Sequence, residues 1–302
     1  MKILLFGCNG QVGWELQRSL APLGEVTALG AKGAGGLHGD FRDPEALAGT
    51  VRAVRPDAVV NAAAFTDVDR AEAEPELART VNAFAPAALA RAAEDVGASM
   101  VHYSTDYVFD GSGIRPWRED DTPGPLNVYG RSKLEGEIGV REAASRHLVL
   151  RTSWVYGVHG RNFATTMLQL AAERDELLVV DDQYGAPTGA DLLADVTAHA
   201  LRTLHERPDR SGTYHVCAGG ETSWHGYARF VVGKARQAGE NLRCGVGQVR
   251  GVPATAFPAA ARRPDNSRLD TARFRATFGL SLPPWQQGVA RLLDQLLRPA
   301  VP

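Results

Sequence analysis

Tyr129-Gly-Arg-Ser-Lys133 spaces a phenol and an ammonium four residues apart. On a helix, residues at that spacing lie on one face. With seven Tyr and four Lys in 302 residues, roughly 0.09 such pairs are expected by chance, so the pair is informative. A phenol ionises near pH ~10 and is a poor proton carrier at neutrality. A cation about 4 Å away, at an effective dielectric constant of about 20, favours the phenolate by about 4 kcal/mol, roughly three pK units. The spacing therefore predicts a Tyr129 poised near neutrality for general acid–base work. The same ammonium is placed to hydrogen-bond a ribose. Arginine would offer its charge as a wide planar fork instead of a compact donor. The chain has 29 Arg and only four Lys, so a lysine retained at 133 is itself a signal. Thr105, at the end of an apolar run, adds a hydroxyl that can polarise a carbonyl as hydride arrives.

Gly7-Cys-Asn-Gly10-Gln-Val-Gly13 is a G-x-x-G-x-x-G loop. With 32 glycines in the chain, roughly 0.35 such triplets are expected by chance, so the motif takes its weight from context. It leaves the apolar run Lys2–Phe6 and enters a helical pattern with Val12, Leu16 and Leu20 on one face. A dinucleotide pyrophosphate fits there, on the free N–H groups of the helix N-terminus. An acid ending the second strand would select a ribose 2′-hydroxyl. Here Leu29-Gly30-Ala31-Lys32 has none, and Lys32 is either a 2′-phosphate partner or a solvated side chain. Asp40 and Phe41 are placed near an adenine. The choice between NADPH and NADH stays open.

These residues need strand ends and helix starts to hold them. Apolar runs at 2–6, 26–29, 57–61, 99–109 and 147–155 read as strands. Helical patterns at 11–21, 43 onward (Asp43 cap, Pro44), 75–95 and 127–144 alternate with them. Such alternation means parallel strands with crossover helices, an α/β Rossmann-type doubly wound sheet. The second half reads as helices at 162–173, 190–206, 223–238, near 270–277 and at 284–297, with a strand at 214–217. The expected organisation is a dinucleotide-binding domain over 1–155, with parts of 190–220 and 250–270. A smaller α/β substrate-binding lobe is expected over 156–190, 221–250 and 271–302.

Composition narrows the class. Thirty-three basic against 35 acidic residues give a net charge of −2, which lacks the positive field of a general nucleic-acid binder. Apolar residues at 44% and charged at 23% fit a folded globular chain rather than a disordered one. Cys8, Cys217 and Cys244 are few and far apart, which predicts no disulfide framework and a reducing compartment. No stretch reaches the ~18 apolar residues of a membrane span. A cytoplasmic protein is the expectation.

Taken together, the glycine loop, Asn61-Ala-Ala-Ala64, Ser104-Thr105-Asp106-Tyr107-Val108-Phe109 and the Tyr129/Lys133 pair resemble the extended short-chain dehydrogenase/reductases. Asp67-Val-Asp-Arg-Ala-Glu72, Arg151-Thr-Ser-Trp-Val-Tyr-Gly157, Asp182-Gln-Tyr-Gly-Ala-Pro-Thr188 and Arg263-Pro-Asp-Asn-Ser-Arg-Leu269 narrow the resemblance to the dTDP-4-dehydrorhamnose reductases. It runs over nearly the whole chain. It implies NADPH- or NADH-dependent reduction of the C4 ketone of dTDP-4-dehydro-β-L-rhamnose, with Tyr129, Lys133 and Thr105 catalytic. It also implies a cofactor held by Gly7, Gly10, Gln11, Val12, Gly13, Asp40, Phe41, Ala64, Phe65 and Thr66, together with Tyr129 and Lys133. Thr105, Asp106 and Trp154 would meet the nucleotide-sugar. Phe65 stands where the family pattern has His, and Gly30 where it often has an acid.

Some members of that family hold Mg²⁺ at a dimer contact, and Glu15 and Asp191 are the acids that would correspond. A homodimer is thus an expectation, without nucleic-acid or membrane partners. Arg262 and Arg263 read equally as a diphosphate clamp or a surface basic pair. An epimerase or dehydratase on the same fold is the competing enzyme reading, but Thr105-Asp106-Tyr107 lacks a dehydratase's Asp-Glu pair. A non-catalytic nucleotide-binding subunit is the other, opposed by the intact Thr105, Tyr129 and Lys133.

Overall fold

The structure is a computed structural model that describes residues 1–297, so the last five residues of the lobe expected over 271–302 lie outside it. The first half runs β1 (Lys2–Phe6), α1 (Gln11–Leu20), β2 (Glu25–Leu29), α2 (Pro44–Val54), β3 (Ala58–Asn61), α3 (Val68–Ala73), α4 (Pro75–Arg79), α5 (Ala85–Val96), β4 (Ser99–Thr105), α6 (Val128–Ala143) and β5 (His147–Thr152). The second half adds β6 (Val155–Tyr156), α7 (Phe163–Glu173), β7 (Leu177–Val180), β8 (Tyr184–Gly185), β9 (Thr188–Gly189) and α8 (Ala190–Glu206). It ends with β10 (Gly212–His215), β11 (Thr222–Ser223), α9 (Trp224–Gln237), β12 (Val249–Val252), α10 (Ala272–Phe278) and α11 (Trp285–Leu297).

Six strands form one parallel sheet in the order β10-β5-β4-β3-β1-β2. Strand periodicity divides its side chains between two faces. Leu4, Phe6, Val59, Met100 and Val149 pack under α2 and α5, whereas Ile3, Leu5, Val60, Val101, Leu148 and Leu150 pack under α1 and α8. Both faces are covered, so the strands read as continuous apolar runs. After β2 the chain returns to β3 on the other side of β1. That reversal opens a crevice at the C-terminal ends of β1 and β3.

A third core lies away from this sheet. Tyr156, Met167, Leu177, Val179, Tyr227, Val231, Trp285, Val289 and Leu292 join α7, α9, α11 and the β12–β7 pair. No helix among the described residues is long and apolar enough to cross a membrane, and Cys8, Cys217 and Cys244 are free thiols.

Two segments depart from the sequence reading. The helix expected over 75–95 is divided, with a π-helical turn at Thr80–Phe84 between α4 and α5. Pro86 supplies the cause: its ring clashes with the carbonyl four residues back and it has no N–H to donate. The loosened turn buries Asn82, whose amide bonds the loop above β3: Oδ1 accepts from Phe65 N at 2.8 Å and Nδ2 donates to Phe65 O at 3.0 Å. The strand expected over 99–109 stops at Thr105. There the threonine hydroxyl accepts from Tyr107 N at 3.2 Å and caps a short 3₁₀ turn, Asp106–Val108.

Candidate active site

The glycine loop is built by close approach. Gly7 adopts φ +82°, and a Cβ there would lie 2.6 Å from Ala63 N. Gly10 N donates to Gly7 O at 3.0 Å, and Gly10 opens α1 without a side-chain cap, leaving its first amides directed at the crevice. Gly13 is buried rather than exposed to the crevice; a Cβ there would stand 2.0 Å from Gly7 O. Gly13→Ala should therefore push α1 off the loop and weaken dinucleotide binding by about tenfold or more. Titration of NADPH by its fluorescence checks this. Gly49→Ala, where nothing lies within 4 Å, should leave the affinity unchanged.

A cleft of about 940 Å³ runs from this loop to the end of β4. Gly7, Gly10, Gln11, Val12, Asp40, Phe41, Ala64, Phe65, Thr66, Thr105, Asp106, Tyr129, Lys133 and Trp154 all line it. Phe41 packs edge-on against Phe6 at 5.8 Å and is buried. Asp40 is gripped by Arg42, whose guanidinium lies within 2.5–3.0 Å of its oxygens and holds the carboxyl below its ordinary range. Arg42 lines the cleft, and Lys32 does not. Gly30 also has a local reason, since a Cβ there would meet the Asn9 amide at 2.5 Å. Uncapped amides, room for a pyrophosphate and an aromatic wall fit a dinucleotide.

Helix α6 carries Tyr129 and Lys133, and several contacts fix its place. Asn127 caps it, accepting from Gly130 N at 2.8 Å while donating to Arg262 O at 2.8 Å. Val128 N donates to Glu72 on α3 at 2.7 Å. Gly130 allows the turn after β4 to approach, for a Cβ would be 2.2 Å from Tyr107 O. Further along, Glu137 and Arg151 form a buried bidentate pair at 2.8 and 2.7 Å, tying α6 to β5.

Tyr129 is half-buried beside Thr105 and packs edge-on against Tyr107 at 5.5 Å. Here the electrostatic expectation is corrected. Burial pushes the phenol up to about 12, the Thr105 hydrogen bond only partly opposing it, rather than down toward neutrality. Lys133 does not act as its close cation. Its ammonium donates to Tyr103 O at 2.6 Å and faces His102 Nε2 at 3.4 Å. Desolvation outweighs a charge that is bonded elsewhere. Burial likewise brings Lys133 down to about 8, with Glu137 favouring its charged form. His102 is kept neutral by burial and by Lys133, and its Nδ1 meets the Asn61 amide at 3.0 Å.

Trp154 takes a left-handed backbone, φ +50°, which is uncommon outside glycine. It stacks on Trp224 at 3.6 Å, and Gly185 leaves space for its ring. Trp224 lines both this cleft and a second cavity of about 700 Å³, bordered by Phe257, Asp182, Arg262 and Arg263. Arg263 pairs with Asp69 at 2.6 Å, so it fastens the 261–263 loop to α3. Arg262 borders the second cavity.

Trp224, Arg42, Asn82 and Glu137 were not singled out by the sequence reading. For Trp224 the available signal was Thr222-Ser223-Trp224, a capping serine before a helical pattern. The acids named for a metal, Glu15 and Asp191, gain no support from their surroundings. Glu15 and Asp191 border a small separate pocket, but Glu15 faces Arg18 at 3.4 Å and Asp191 faces Arg291 at 3.7 Å. Each acid already has a cationic neighbour, and among the described residues no group of three or more His, Cys, Asp or Glu could hold a metal ion.

Comparison with known proteins agrees with this geometry. The family described as "RmlD substrate binding domain" matches residues 1–298. A dTDP-4-dehydrorhamnose reductase of Shigella flexneri is 55% identical over 296 residues, covering 98% of each chain. The one from Escherichia coli K12 is likewise 55% identical, with 98% of each chain covered. A crystal structure of a dTDP-4-dehydrorhamnose reductase from Bacillus anthracis in complex with NADP superposes with a TM-score of 0.87 at 34% identity, covering 98% of this chain and 100% of that one. With relatives this similar along almost its full length, the chain belongs to the dTDP-4-dehydrorhamnose reductase family.

Proposed function

We propose that this NAD(P)H-dependent reductase converts the C4 ketone of dTDP-4-dehydro-β-L-rhamnose to the alcohol, giving dTDP-L-rhamnose. One observation carries the reading: Thr105, Tyr129 and Lys133 line the same cleft as the glycine loop. The dinucleotide-binding part would be 1–155 with parts of 190–220 and 250–270, and the substrate lobe 156–190, 221–250 and 271–302. The nucleotide-sugar would lie over Trp154 and Trp224 and reach the second cavity.

When bound, the dihydronicotinamide supplies the hydride. The Thr105 hydroxyl donates to the ketone oxygen and polarises it. Tyr129 gives its proton to the oxygen as negative charge develops there. A phenol at about 12 still transfers downhill, because an alkoxide is roughly as basic as hydroxide, whose conjugate acid is near 15.7. Lys133 keeps one of its three N–H donors for a cofactor hydroxyl after bonding Tyr103 O and His102. Gln11, Val12, Ala64, Phe65 and Thr66 would hold the dinucleotide along the crevice.

The test is loss of NADPH absorbance with dTDP-4-dehydro-L-rhamnose and formation of dTDP-L-rhamnose. Stoichiometric oxidation is expected. No oxidation at saturating cofactor would overturn the reading, and product change without oxidation would favour an epimerase.

A further inference from the structure

We propose that Asp106 is the proton supply of this site, refilling Tyr129 through the Thr105 hydroxyl after each reduction. This rests on the reductase reading above. Tyr129 gives its proton to the alkoxide and becomes a phenolate. The Thr105 O–H bond then breaks toward that phenolate while the Asp106 carboxyl protonates Thr105 Oγ1. Asp106 is left as carboxylate and takes a proton from solvent. No electrons move in this step, and the charge on Tyr129 ends on Asp106.

The geometry supplies each link. Asp106 lines the cleft, yet is only 2% exposed. Thr105 Oγ1 donates to its Oδ1 at 3.1 Å, a contact whose direction reverses when Oδ1 carries the proton. Thr105 is in turn the hydrogen-bond partner of Tyr129. Tyr107 N donates to Thr105 Oγ1 at 3.2 Å, which holds the oxygen in place. Asp106 Oδ2 is buried without a well-formed hydrogen bond, the Ser267 hydroxyl approaching the carboxyl only loosely. A carboxylate with an unsatisfied oxygen is costly in such a place, and a carboxylic acid is not.

No cation among the described residues compensates it. The groups around Asp106 are Tyr107 on its own turn, Tyr129 from α6, Cys217 after β10, and Ser267 from the loop before α10. Tyr107, Tyr129 and Cys217 all keep their protons near neutrality, since burial pushes each of them up. On that loop Arg263 is engaged by Asp69 and Arg268 by Glu221. Burial raises the Asp106 carboxyl to about 7, with Ser267 and Thr105 partly opposing. It is therefore about half protonated at neutral pH, so it can both hold a proton and release one. The protonation state also sets the direction of Thr105. A neutral Asp106 donates to Thr105 Oγ1 and leaves the hydroxyl hydrogen for the ketone, while a carboxylate takes that hydrogen for itself.

The test uses Asp106→Asn, which keeps the shape and a donor toward Thr105 but cannot pass a proton. For the wild type, kcat should fall as pH rises through about 7. In D106N that limb should disappear and kcat should drop about tenfold or more, with the nucleotide-sugar KM within roughly threefold. A carboxyl that only grips the sugar predicts the reverse, a raised KM with the pH limb intact, and that result overturns the proposal. So does an unchanged kcat profile in D106N. Difference infrared spectroscopy of the protein gives an arm independent of turnover: a carboxylic-acid carbonyl band should titrate near pH 7 in wild type and be absent in D106N. A band that is missing from wild type, or retained in D106N, refutes Asp106 as the proton store. An inactive wild type would instead refute the reductase reading.

Folding is controlled by the sign of the linkage. A carboxyl with a raised folded-state pKa favours the fold most at low pH and loses that contribution as pH rises through about 7. D106N should therefore melt no lower than wild type on the alkaline side.

Discussion

Tyr129→Phe is expected to lower turnover by about 10²–10⁴-fold, the usual range for removing a positioned general acid. The phenol oxygen is lost while the ring remains against Tyr107. NADPH affinity should change little, because Lys133, the glycine loop and the 64–66 segment are untouched. Fluorescence titration and single-turnover kinetics separate the two effects. The raised phenol pKa sharpens the expectation. A Tyr129 near neutrality would spend part of its time as phenolate and give a turnover profile falling near pH 7 for its own reasons. A phenol at about 12 holds its proton until an alkoxide takes it, so any limb near 7 belongs to another group. Wild-type turnover in the phenylalanine variant would remove Tyr129 from the chemistry altogether.

The largest stability loss is expected at Glu137→Ala. Glu137 is fully buried, as is the Arg151 guanidinium it holds through two bonds, and Arg151 also stacks over Phe109. Removing the acid leaves a desolvated cation with only weak contacts to Glu119 O and His215 Nε2, both at 3.4–3.5 Å. Breaking a buried pair from one side costs about 3–5 kcal/mol. Chemical denaturation monitored by tryptophan fluorescence should show the midpoint fall accordingly. Replacing both partners, Glu137→Leu with Arg151→Met, should recover most of the loss, because the uncompensated charge is gone. Recovery would identify the pair as a fastening for α6. Turnover of Glu137→Ala should also fall before unfolding, since Tyr129 and Lys133 ride on the same helix.

How much of the site was legible depends on how local its causes are. The Tyr129/Lys133 spacing requires only a helix, and α6 extends over Val128–Ala143 as its pattern demands. The glycine loop requires only a strand and a helix on either side, both encoded by short apolar periodicities. Thr105 was placed at a strand end, although the strand stops earlier than its apolar run because the threonine itself caps the next turn. The lobe resisted reading for a different reason. Its strands β6, β8, β9 and β11 are two residues long, too short to leave a periodicity, and each exists because a distant partner lies beside it.

The sequence by itself determined the parallel α/β sheet, the glycine turn between β1 and α1, and the placing of Tyr129 and Lys133 on one helix, because each follows from spacings within about a dozen residues. Only the tertiary structure decided what those groups are like once gathered. Desolvation, not the helix neighbour, sets Tyr129. Trp224 stacks on Trp154 from 70 positions away, and Asn82 fixes Phe65 across a π-helical turn. Asp106 becomes a proton-bearing acid because β4, α6 and the 264–270 loop close over it. Spacing along a chain fixes which groups share a face, but burial and distance in space fix their charge, and those arise only when remote segments pack.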